Sequence, residues 1–116
     1  MSARYRTQYG EINITDDVLA TISGLATTEC YGLVGMASKN AKDGLVELLK
    51  RDNLAKGVKV TAEGEELNID LYIVVEFGTK ISTVADNIIS KVKYTLENLT
   101  GLKVKKVNIN VQGVRV

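Results

Sequence analysis

The stretch Val58-Lys59-Val60-Thr61-Ala62-Glu63-Gly64-Glu65-Glu66-Leu67-Asn68-Ile69-Asp70-Leu71-Tyr72-Ile73-Val74-Val75-Glu76-Phe77 decides the fold. Val58, Val60 and Ala62 alternate with Lys59, Thr61 and Glu63. After Glu63-Gly64-Glu65, a second alternation places Leu67, Ile69, Leu71, Ile73, Val75 and Phe77 on one side. A side-chain period of two puts each set on one face of a strand, and the polar, glycine-bearing break predicts a β-hairpin with one apolar face. Tyr72 and Val74 fall on the nominally polar face, so part of that face is expected to be covered as well. Asp70 lies on it too, either paired with Lys or Arg at an interface or exposed on an open sheet face.

Downstream, Gly78 ends the strand, and Ile81, Val84, Ala85, Ile88, Ile89, Val92, Leu96 and Leu99 recur at helical spacing. Gly101 stands where a glycine in left-handed conformation closes a helix. Val107, Ile109 and Val111 then share one face of a last strand. Val104 and Val114 fall out of that phase, which predicts irregularities near Lys105-Lys106 and at Gly113. A long helix between two strands favours a crossover that sets them parallel in a mixed sheet.

Upstream, Tyr9 to Ile14 alternates as a short half-buried strand. Thr15 is a fitting N-cap, with Asp16 and Asp17 in the first turn and Ile14 and Leu19 at the positions of a hydrophobic staple. A helix follows over residues 15–29, in which Gly24 implies close approach of a neighbour. Leu33-Val34-Gly35-Met36 forms a short strand after Gly32, Ser38 to Gly44 is loop-like, and Leu45, Leu48 and Leu49 make one face of a two-turn helix ending near Asp52-Asn53. The expected order is β-α-β-α-β-β-α-β, an α+β two-layer domain with helices mainly on one face of a mixed sheet. Residues 1–8 are expected to be a tail and residues 9–116 a single domain.

Composition narrows the chemistry. The chain has 116 residues, no His, no Trp, no Pro and one Cys. A His-dependent catalytic triad is therefore excluded within the chain, as is a zinc site of the usual Cys/His kind. Cys30 follows a helix C-terminus, where the dipole disfavours a thiolate, so it is expected to pack as a small hydrophobe. Asp16 and Asp17 fit dipole partners better than an acid–base pair. The glycines never cluster as a phosphate cradle. No catalytic residue, metal or cofactor is expected.

The formal charge of +1 hides a segregation: residues 1–54 sum to −1, residues 55–79 to −3 and residues 80–116 to +5. Lys103, Lys105 and Lys106 make a basic edge, but only Tyr94 lies nearby as a stacking ring, so specific nucleic-acid binding is not expected. No apolar run approaches a membrane span, and the opening residues lack the apolar core of a secretory signal. With a lone cysteine, a cytoplasmic location is expected.

With these segments in view, the chain resembles the alkaline shock protein family of Gram-positive bacteria, also called general-stress or envelope-stress-response proteins. The resemblance rests on Gly10-Glu11-Ile12-Asn13-Ile14-Thr15-Asp16-Asp17-Val18, Gly32-Leu33-Val34-Gly35-Met36, Lys56-Gly57-Val58-Lys59-Val60, Ile69 to Gly78, Thr100-Gly101-Leu102 and Val107 to Val114. Two departures stand out: Ile81-Ser82-Thr83 occupies a place where relatives often carry Pro, and long charged tails are missing. The resemblance implies a non-enzymatic cytoplasmic protein that self-associates and meets the membrane only indirectly, through a small membrane-anchored protein. Short relatives imply an alternative, a regulatory or ligand-binding partner of a dihydroxyacetone-kinase-like fatty-acid kinase in lipid metabolism. The expected partner surface comprises Asp70, Tyr72 and Val74 with Lys103, Lys105 and Lys106 of the last strand.

Overall fold

The computed structural model describes residues 2–39 and 48–116. The elements run β1 (Ser2–Thr7), β2 (Gly10–Thr15), α1 (Asp16–Thr28), β3 (Leu33–Met36), a 3-10 helix at Arg51–Gly57, β4 (Val58–Glu63), β5 (Glu66–Glu76), α2 (Ile81–Thr100) and β6 (Lys103–Arg115). β5 is the hub of the larger sheet. β4 pairs antiparallel with its first half and β3 with its second, so the two short strands share one side of β5. β6 runs parallel along the other side for the whole length. The architecture is the expected two-layer α+β domain with a mixed sheet.

The hairpin forms as the alternation requires. Val58, Val60 and Ala62 stand opposite Leu71, Ile69 and Leu67, and Leu67, Ile69, Leu71, Ile73 and Val75 are fully buried. Removing each such side chain from water contributes about 1.5–3 kcal/mol, an upper estimate because the unfolded chain is already partly collapsed. Phe77 departs from expectation. It lies just past the strand end and is 73% exposed.

Both helices cover this apolar face. Thr15 Oγ1 accepts the Val18 N–H at 3.4 Å as the N-cap of α1, and Ile14 and Leu19 both reach the core. Gly24 is close-packed as expected: a Cβ there would sit 2.9 Å from Leu54 Cβ. α2 buries Val84, Ile88, Val92 and Leu96, one residue per turn, while Leu99 and Ile81 at its two ends are exposed. Gly101 closes it at φ 77°, its N–H donating to the Glu97 carbonyl at 3.0 Å. The β6 register slips once between Leu67 and Asn68 and again between Ile73 and Val74, leaving Lys105 and Gln112 unpaired. These are the irregularities that the out-of-phase valines imply.

Three expectations are corrected. The tail expected over residues 1–8 is, in its described part, a strand: Ser2–Thr7 pairs antiparallel with β2. The strand at Gly10–Thr15 does not join the main sheet; with β1 it makes a separate two-stranded sheet, and Ile12 is exposed rather than half-buried. Ala3, buried to 1% exposure, ties this hairpin to the core. The middle helix is also displaced. Its start at Leu45 lies outside the described residues, but Leu48 bridges to Ala37 and the Leu49 N–H donates to the Met36 carbonyl. Those backbone groups extend the edge of β3, and the helical turns come later, as a 3-10 helix over Arg51–Gly57.

Candidate interaction surface

The helices cover one face of the sheet, and the register shows what remains on the other. Three strands contribute matched rows there: Thr61, Asn68 and Lys106, then Lys59, Asp70 and Asn108, with Tyr72 beside Asn110. Among the described residues, Asp70 forms no ion pair with a cation. Asn108 Nδ2 donates to Asp70 Oδ1 at 2.8 Å, although Lys59 stands opposite Asp70 across β4. Asn110 Nδ2 donates to the Leu71 carbonyl at 3.2 Å, reaching the neighbouring strand's backbone. Asp70 and Tyr72 are half-buried, and the sheet is a polar, hydrogen-bonded surface rather than a bare one.

The expected partner surface is thus divided. Asp70 and Tyr72 share the open face with Lys103 and Lys106. Lys105 is the extra residue of the first bulge. Val74 is only 6% exposed. It forms the floor of a groove of about 160 Å³ lined also by Leu48, Gly113, Val114 and Arg115, so it supports the surface from beneath. Asn108 and Asn110 are absent from the surface expected on sequence grounds, yet their alternation with Val107, Ile109 and Val111 is the signal that places them on this face.

A second exposed feature lies at the end of β5. Phe77, Ile81 and Val114 line a groove of about 270 Å³ and are all exposed.

Among the groups with the makings of a reactive site, Asp16 Oδ1 is buried and accepts no hydrogen bond from the described residues. Cys30 is half-buried, and burial pushes its thiol above the ordinary range; the charge of Lys91 opposes this and that of Glu29 adds to it. Lys91 Nζ itself pairs with Glu29 Oε2 at 3.4 Å. Asp16 and Asp17 open α1 as its dipole partners. They flank a cleft of about 120 Å³, where Lys39 Nζ donates instead to the Val58 carbonyl at 2.9 Å. Among the described residues, no three acidic, Cys or His side chains gather as metal ligands, and no helix is long and apolar enough to cross a membrane.

The chain is 56% identical over 117 residues to the uncharacterized protein YloU of Bacillus subtilis, covering 100% of this chain and 98% of that one. It is 44% identical to the uncharacterized protein Spy1614 of Streptococcus pyogenes, over 100% of this chain and 97% of that protein. It is also 31% identical to a stress response regulator gls24 homolog of Streptococcus pyogenes, over 91% of this chain and 59% of that one. No solved structure matches significantly. The model of a family described as having a cell envelope-related function matches residues 4–116, and the chain belongs to that family, the alkaline shock proteins.

Proposed function

We propose that this protein is a non-enzymatic adaptor of the envelope stress response, acting in the cytoplasm through contacts with other proteins and with its own copies. The observation that carries this is the second face of the sheet, which neither α1 nor α2 covers and where Asp70, Tyr72, Asn108 and Lys106 are held in register by neighbouring strands. A polar face whose side chains are fixed by strand register suits recognition better than turnover. The chain has no His, and burial raises the pKa of the Cys30 thiol, so neither of these supplies the usual general base or a thiolate nucleophile. The envelope assignment rests on the family's description and on the stress-regulator relatives.

The test is light crosslinking of the tagged protein in its native cell, followed by mass spectrometry of what co-purifies and sedimentation of the purified chain at micromolar concentration. Recovery of a small membrane-anchored protein supports the adaptor. Recovery of a soluble fatty-acid kinase moves the function to lipid metabolism. A strictly monomeric chain that captures neither overturns the proposal.

A further inference from the structure

We infer that β6 receives an extended acidic segment of a partner protein as an added strand. This rests on the adaptor proposal and gives its partner a chemistry. β6 pairs with β5 along one side only; among the described residues no strand pairs with its other side. A free edge is a template for another strand, and lysines and bulges are the usual means of blunting it. Here both bulges fall near the ends. Between them, Lys106–Val111 runs in unbroken register against Asn68–Ile73, a length that matches an ordinary strand. Ile109 and Val111 are only half-buried along this edge, so alternate apolar residues of an incoming strand would complete their cover.

Charge selects the occupant. Residues 103–116 contain Lys103, Lys105, Lys106 and Arg115 and no acidic residue. Glu66 stands opposite Lys103 and Glu76 opposite Arg115, whereas Lys105 and Lys106 have no acidic residue opposite them. Lys105, Lys106 and Arg115 are exposed and form no ion pair among the described residues. A second copy fits poorly: antiparallel pairing centred on Ile109 sets Lys103 of one chain against Arg115 of the other, and like charges directly opposite are destabilising. An acidic strand meets the same cations favourably, so the residues that deter a copy admit this partner. The molecule holds a precedent on β6 itself, where Glu97 Oε2 accepts the Val104 N–H at 3.0 Å, a side-chain carboxylate on a β6 backbone donor.

The experiment uses the full chain, isotope-labelled for amide NMR, and a short synthetic peptide alternating Glu with Val. The expected result is saturable binding with shifts centred on Val107–Val111 and an affinity that falls as salt rises. The peptide with Gln for every Glu, and the variant Lys105→Glu/Lys106→Glu against the Glu peptide, should each bind at least about tenfold more weakly. The melting temperature of the variant is checked first, and Lys105→Gln/Lys106→Gln replaces it if folding suffers. Equal binding of the Gln peptide, shifts confined to another surface, or no binding overturns the inference. So does a concentration-dependent dimer that protects the same amides, which would make a second copy the occupant. If the double variant still captures the native partner in crosslinked cells, the β6 inference fails while the adaptor proposal stands.

Discussion

The two β-hairpins of the molecule, β1–β2 and β4–β5, share an alternating pattern and differ in what covers them. In β4–β5 the apolar side lies beneath α1 and α2, and the inward residues of β5 from Leu67 to Val75 have no exposure. In β1–β2, Ile12 stands across from Tyr5, yet Ile12 is 47% exposed and Tyr9 at the turn 93%. The turns differ as well. Gly64 takes φ 64° in the first case, whereas the β1–β2 turn is tied by Thr7 Oγ1, which accepts the Tyr9 N–H at 3.2 Å. Alternation makes a strand possible; a covering layer makes it stable. The first hairpin holds on through Ala3, the capped start of α1 and the Tyr5 ring beside Gly101.

Truncation at the covered hairpin should therefore cost most. Leu71→Ala is expected to lower the unfolding free energy by about 2–5 kcal/mol, since the cavity lies where neither helix can collapse easily. Urea denaturation measures it, and a loss below about 1 kcal/mol would mean that the helices do not seal this face.

Next comes the layer that does the covering. Alanine for glycine inside an exposed helix gains up to about 1 kcal/mol. At Gly24 the added methyl meets Leu54 Cβ at 2.9 Å, and overpacking of this kind costs about 1–3 kcal/mol. Gly24→Ala should thus destabilise on balance, and a rise in melting temperature would show that α1 rides free of the 3-10 helix. Thr15→Ala tests the joint between β2 and α1. With a cap bond of 3.4 Å, a loss near the lower end of the range for N-caps, about 0.5–1 kcal/mol, is expected in the same titration.

What can be read from the chain divides along the same line. Wherever a helix covers a strand, sequence period equals burial, so the hairpin, the staple, Gly24, the parallel last strand and its bulges are all legible. β1 is not: Ala3 and Tyr5 do alternate with Arg4 and Arg6, but its turn, Gln8-Tyr9, has no glycine and depends on a threonine hydroxyl. The middle helix misleads because Leu48 and Leu49 satisfy a helical spacing and a strand edge equally. Asp70 can be placed on the open face but not paired, because its partner depends on where the Lys105 bulge resets the register. One residue's shift there brings Asn108, rather than Val107, to its side.

The smallest effect should belong to the uncovered hairpin. Ile12→Thr keeps a β-branched residue at an exposed position in β2, so strand preference is nearly unchanged and little buried area is lost. A change within about 0.5 kcal/mol is expected for the monomeric protein, as for surface substitutions generally. The same measurement at rising protein concentration gives it a second use. If the cost of Ile12→Thr grows with concentration, something must bury Ile12 in the associated state, because only a covering layer gives that side chain a stabilising role. The first hairpin would then be an element that completes its cover between copies. A cost that stays small at every concentration leaves it an open arm, stable only through its anchorage at Ala3 and the start of α1.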